Sequence, residues 1–402
     1  MSEIMVRTVG EATVQTRERT SARLFFVDHW RAALIILVVL HHVAVVYSAG
    51  SPFYYVEPPI ASPLTFLILL VFILGNQAWF MGALFLIAGY FTPGSYERKG
   101  AGPFIKSRLV RLGIPLLVWI FLLNPLSSIG YWYMPAELTG ISDPLTWQAY
   151  PFLIGLGVAW FLALLLVFNM GYLAWRRLTA GRQPILTDRP SLPGYLGLAL
   201  FVVVLALASY LLRMVIPMGK YVLGFPTLSY LPQYLSLFIV GCVAFRGDWF
   251  RRVPNQMGVA GFLAALAATI LLFPLAVSGR LFSLQFLEPA AFLGNGTWQS
   301  GIYALWDSTV AVGLCLASLT FFRRYFSKQS SLGTFLSEQS YAVYLIHVPI
   351  IVLLAVTLSG VTLSGVTLHP LLKFLLLALI TVPVCFLTAY LIRKIPGVSR
   401  VL

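Results

Sequence analysis

The chain has 402 residues, of which 59% are hydrophobic and only 10% charged, with a mean hydropathy of +0.88. A soluble domain of this length has no use for so much apolar surface, so the composition points to an all-α, polytopic integral membrane protein in contact with a lipid bilayer. The net charge of +14 comes from basic residues scattered between apolar segments. That pattern belongs to loops flanking a membrane and excludes nucleic acid as the expected partner.

The first 24 residues are polar and carry Arg7, Arg17, Arg19 and Arg23; they read as a cytoplasmic tail. Small residues at Ser48-Ala49-Gly50 resemble a signal-peptide end. Two histidines in the preceding apolar run and nine further apolar segments favour an uncleaved first span. Hydropathy predicts ten spans, at about 30–49, 62–92, 112–133, 151–175, 194–216, 231–245, 257–277, 303–322, 335–357 and 369–392. Gly75-Asn76-Gln77 offers a split of the second. One long kinked helix is preferred, because it keeps Arg98, Lys99, Lys106, Arg108 and Arg111 on the N-terminal side. With ten spans, 23 of the 27 Lys and Arg fall on that side, and only Arg213, Lys220, Arg280 and Lys373 lie at or beyond the other face. The bias predicts both termini in the cytoplasm, with the C-terminal tail at 395–402.

Within the first span, Asp28 precedes Arg31 by three residues and can cap the helix or pair with that arginine. Flanking charge alone explains the two equally well. His42 comes eleven residues after Arg31, following a ten-residue run that is apolar except for His41. Eleven helical steps return His42 to within roughly 20° of the Arg31 face, roughly 16 Å deeper, which predicts a position near the bilayer midplane. A histidine there is costly unless it faces protein or water, so it marks function by default. His41 points about 100° away and reads as a hydrogen-bonded packing residue.

After the second span, Lys106-Ser-Arg108-Leu-Val-Arg111 precedes Gly113-Ile-Pro115. Arg108 and Arg111 share a face on a helical turn and can form a fork for phosphate oxygens, although ordinary flanking charge is the simpler account of these residues taken alone. Pro115 is expected to start or kink the third span. Further polar groups lie in apolar runs: Asn76, Gln77, Asn124, Asn169, Arg213, Asp307 and His347. Asp307 is a candidate partner for a histidine or for Arg213. His347 reads as well as an interhelical packing residue as a chemical one. Cys242, Cys315 and Cys385 stand alone, so neither disulfide nor metal is expected. The stretch 356–368 repeats Val-Thr-Leu-Ser-Gly twice, too few units for a repeat architecture. No phosphate-binding glycine loop, zinc-type histidine spacing or Gly-x-Ser-x-Gly elbow is present.

Asp28-His-Trp-Arg31 with His42, Phe85-Leu-Ile-Ala-Gly89-Tyr, Arg108-Leu-Val-Arg111 with Gly-Ile-Pro, Ala159-Trp160-Phe161-Leu and Ser340-Tyr-Ala-Val-Tyr-Leu-Ile-His347 occur together, in order. The set resembles the membrane-bound acyltransferase-3 family. Leu24-Phe-Phe-Val-Asp28, Val45-Val-Tyr47-Ser48 and Ala32 are similar to its glucan biosynthesis protein C branch, whose members succinylate periplasmic glucans. The acidic fourth-span motif of the larger O-acetyltransferases is absent. The resemblance implies one acyltransferase domain over 25–394 in the plasma (inner) membrane. His42 would be its catalytic histidine, as base or acyl carrier, and Arg31 essential beside it. Arg108 and Arg111, with Lys106, would hold the phosphates of acyl-CoA, and a carbohydrate would accept the acetyl or succinyl group. Asp28, Asp307, Trp160 and His347 are the supporting candidates. A proton-coupled transporter or flippase, with His42, Asp307 and Arg213 as relay, is the rival reading.

Overall fold

The computed structural model describes residues 23–48, 53–57, 63–179, 190–278, 289–359, 362–363 and 366–402. The expected N-terminal tail up to Ala22 and Arg280 therefore lie outside the described residues. Among the described residues ten helices are long and apolar enough to cross a membrane: α1 Phe25–Ser48, α2 Leu64–Lys99, α3 Ala101–Tyr133, α4 Trp147–Leu178, α5 Tyr195–Val215, α6 Leu228–Gly247, α7 Asn255–Val277, α8 Trp298–Tyr325, α9 Ser331–Ser359 and α10 Pro370–Arg393. A helix satisfies every backbone hydrogen bond within the segment, which suits apolar stretches of this length to a lipid environment that offers the backbone no water. Among the described residues the only paired strands are Thr362–Leu363, in the second copy of the short repeat, and Val366–Thr367, in the Val-Thr-Leu that follows it, joined antiparallel between α9 and α10.

Local chemistry sets the helix limits. Thr297 caps α8 by accepting from the Ser300 N–H (3.2 Å), and His369 with Pro370 opens α10 in the same way, accepting from Leu371 N–H (3.3 Å). The second span is a single path with an interruption at Ala78 and Trp79, where the Ala78 carbonyl accepts from the Gln233 amide (2.5 Å).

The third span starts earlier than hydropathy predicts, so Arg108 and Arg111 are helical residues rather than loop residues. It contains two wide π-turns, Leu109–Gly113 and Trp119–Leu123, each next to a proline. Pro115 cannot donate to the Arg111 carbonyl, and Pro125 cannot donate to that of Phe121. Tyrosine hydroxyls from other helices replace both donors: Tyr341 on α9 serves Arg111, and Tyr150 on α4 serves Phe121 (2.7 Å). The kink expected at Pro115 thus becomes an interhelical tie.

Helix α1 runs through the middle of the bundle against α2, α8, α9 and α10. Large apolar side chains of α3, α5 and α7 point outward, as lipid-facing surfaces require. Helices α2 and α6 meet at Gly89 and Gly241, where a Cβ on either would strike the other's backbone. At one end of the bundle, His29 meets the Phe326 carbonyl (2.8 Å), Arg31 the Ser337 hydroxyl (3.3 Å) and Arg393 the Gln339 amide oxygen (3.0 Å). The starts of α1 and α9 and the end of α10 therefore share this end.

Candidate functional site

The central feature is a pair of histidines 305 residues apart. His347 Nε2 lies 3.1 Å from His42 Nδ1. His42 Nδ1 is also 2.9 Å from the Val38 carbonyl, one turn back on α1, and His347 Nδ1 is 2.7 Å from the Tyr344 carbonyl on α9. Phe53, on the segment that follows α1, stacks on the His42 ring with centroids 5.3 Å apart. His347 is fully buried, whereas His42 keeps partial exposure. His41 points elsewhere, against Phe80 of α2 (centroids 5.0 Å apart), and its buried Nδ1 has no hydrogen-bond partner among the described residues.

His42 sits farther along α1 than expected. It is six residues from Ser48 and seventeen from Phe25, roughly 9 Å and 26 Å of helical rise. The midplane estimate assumed a helix starting near Trp30. In the structure Phe25 to Arg31 are already helical, so Arg31 lies inside the first two turns and His42 in the far half of the helix.

Helix α9 gives the scale of the site. Its Ser337 accepts from Arg31, Tyr341 donates to the Arg111 carbonyl, Tyr344 donates to the Val158 carbonyl (2.5 Å), and His347 meets His42. Spacings of four, three and three residues make these positions neighbours along the helix. The Arg111 backbone is thus six residues, roughly 9 Å of rise, from the histidines, and Arg31 is ten residues, roughly 15 Å, away.

Arg31 does not touch His42. Its Nη2 donates to Asp28 (3.0 Å), whose other oxygen accepts from Arg23 (2.8 Å). Arg108 lays its guanidinium over the Phe104 ring, 5.0 Å from the centroid, with its Nε buried and unpartnered among the described residues. Lys99 donates to Ser107 (2.9 Å) and stands close enough to Arg98, Arg108 and Arg111 to feel their charge. Arg111 and Lys106 are exposed, and among the described residues no carboxylate pairs with Arg108, Arg111 or Lys106. Unneutralised cations at one end of a helix bundle are a ready surface for phosphate.

Asp307 has its arginine partner and no histidine. It accepts from Arg213 (2.5 Å), both side chains are buried, and the guanidinium lies over the rings of Tyr230 and Tyr303. Trp160 stacks on Tyr234 (5.3 Å), which stacks on Tyr230 (6.0 Å); Phe161 next to Trp160 meets Tyr344 edge-on (5.7 Å). Trp160 therefore belongs to an aromatic wall joining the arginine–aspartate pair to the histidine end of α9.

Several contacts had no expectation behind them. Glu57 pairs with buried Lys373, which ties the 53–57 segment to α10, and Tyr54 donates to Asn124 of α3 (2.5 Å). These bonds hold Phe53 over His42. The one signal in the chain is complementarity: a carboxylate just after α1 and a lysine within the last apolar span.

The acyltransferase-3 family, described as "Acyltransferase domain", matches residues 24–390, and the chain belongs to this family. Proteins named "Glucans biosynthesis protein C" from Salmonella paratyphi B, Salmonella dublin and Salmonella enteritidis are each 24% identical over 345 residues, covering 82% of this chain and 82% of theirs. The protein is an acyltransferase with multiple membrane-spanning helices.

Proposed function

We propose that the protein moves an acyl group, acetyl or succinyl, from acyl-CoA to a hydroxyl of an extracytoplasmic or lipid-linked glycan, with His42 as the reacting histidine. The reading is carried by the contact between His42 and His347 inside the bundle of an acyltransferase. A glucan acceptor is suggested by what the relatives' name says of them. The excess of Lys and Arg at the end where α1 starts and α10 finishes supports reading that end as cytoplasmic and the inner membrane as the location.

In this reading Arg108, Arg111 and Lys106 receive the CoA phosphates at the basic end, and the thioester reaches along α9 to the histidines. The acceptor hydroxyl gives its proton to His42 as its oxygen attacks the thioester carbon. The C–S bond breaks, an ester C–O bond forms, and the proton passes from His42 to the departing thiolate. In the covalent variant, His42 first carries the acyl group itself and the hydroxyl attacks that intermediate. Arg31 braces α1 against α9 through Asp28 and Ser337, and so sets the height of His42.

The test is acylation of envelope glycans, read by mass spectrometry, in cells carrying the wild-type chain or His42→Ala. The variant is expected to accumulate in the membrane and to leave the glycans unmodified. Retained modification would remove His42 from the chemistry.

A further inference from the structure

A carbonyl oxygen only accepts hydrogen bonds, so a histidine nitrogen bonded to one carries the proton. His347 Nδ1 bonds the Tyr344 carbonyl and is therefore the N–H of that ring; in the neutral imidazole its Nε2 is then a bare lone pair. His42 Nδ1 faces two acceptors at once, the Val38 carbonyl at 2.9 Å and the His347 lone pair at 3.1 Å. It must hold its proton there and share it between them. With the opposite tautomer, three lone pairs would converge on one buried point. Two neutral imidazoles in a single assigned arrangement satisfy every one of these contacts.

The consequence falls on the far nitrogen. His42 Nε2 is left without a proton, on the ring edge away from both acceptors, and the ring cannot rotate freely because Phe53 covers one face and His41 meets it edge-on (5.3 Å). Among the described residues no carboxylate bonds to either histidine. A carboxylate is the usual group that orients a catalytic imidazole, but a charge buried among apolar helices is costly to desolvate. Here a second imidazole, anchored to a backbone carbonyl, does the orienting without a charge.

We infer that His347 is a positioning residue: it holds His42 in the Nδ1–H tautomer, so that Nε2 takes the acceptor proton, and it accepts the Nδ1–H bond as positive charge builds on His42. This rests on the acyl-transfer reading above. His347 keeps its own proton on Nδ1 throughout. The hydroxyl proton moves to His42 Nε2 and from there to the thiolate, so no other donor or acceptor is required. The hydrogen bond between the rings becomes charge-assisted at the moment His42 is cationic, which is when it strengthens most.

The experiment uses the full chain in detergent micelles, labelled with 15N-histidine, with acyl transfer from acetyl-CoA and succinyl-CoA to glucan measured in parallel. Wild-type His42 is expected to show the shifts of an Nδ1–H imidazole. His347→Phe, which has no acceptor, should give mixed His42 tautomers and lower kcat about a hundredfold, the order seen when other oriented catalytic contacts are removed, with KM for acyl-CoA unchanged. His347→Gln can accept the same bond through its carbonyl and should restore the tautomer and most of the rate. An Nε2–H tautomer in the wild-type protein would overturn the inference, as would wild-type kcat in His347→Phe or a Gln variant no better than Phe. An inactive wild-type chain with His42 in the expected tautomer would instead overturn acyl transfer and leave the ring assignment in place.

Discussion

Arg213 and Asp307 invite a functional reading because they are ionisable groups inside an apolar bundle, yet their geometry describes a staple. Their side chains are 1% and 2% exposed, and the guanidinium is held over two tyrosine rings. Among the described residues, Asp307 accepts from Arg213 and Ser308. Arg213→Met would leave the carboxylate buried with Ser308 alone, and an uncompensated buried charge of this kind costs about 3–5 kcal/mol. At about 1.4 kcal/mol per decade, the folded fraction under marginal conditions falls about a hundred- to a few-thousandfold. Asp307→Leu alone should cost a similar amount by stranding the cation. The double variant Arg213→Met with Asp307→Leu removes both desolvation penalties and should recover to near wild-type stability. A double-mutant cycle followed by denaturant unfolding in mixed micelles, with glycan acylation measured on each variant, tests this. Acylation should survive in the double variant, because neither residue touches the histidines. Loss of acylation in a double variant of wild-type stability would refute the staple and give the pair a part in the chemistry, or in a proton relay.

Two other perturbations follow from the helices around the site. Tyr341→Phe removes the hydrogen bond that replaces the donor missing at Pro115 and should destabilise the bundle by about 1–3 kcal/mol. In a Pro115→Ala background the helix can supply its own donor, so the same change should cost much less; equal costs in the two backgrounds would show that Tyr341 does not compensate for the proline. Arg108→Gln with Arg111→Gln should raise the apparent KM for acyl-CoA about tenfold or more, leave kcat nearly unchanged, and flatten the dependence of KM on salt. A salt-dependent KM equal to that of the wild-type protein would assign these arginines to membrane orientation alone.

Much of the architecture is legible in the chain itself. Hydropathy is a local property, so ten apolar stretches become ten helices, and the bias of Lys and Arg marks one end of the bundle. Helical periodicity puts His42 and His41 on different faces, and the structure gives them different partners on other helices: His42 meets His347 while His41 packs on Phe80. The Asp28–Arg31 pair is equally readable, since two residues three apart on one helix are always neighbours.

What the sequence could not determine is which polar groups meet across helices. That depends on the rotation and height at which each helix packs, and these are set by contacts far apart in the chain: Gly89 against α6, Tyr341 on the carbonyl freed by Pro115, Glu57 on Lys373. Their sum pairs Asp307 with Arg213 rather than a histidine, leaves Arg31 bracing the helices instead of touching His42, and joins His42 to His347 across 305 residues. The costly histidine of the first span is thus a property of the sequence; the partner that orients its ring is a product of packing alone.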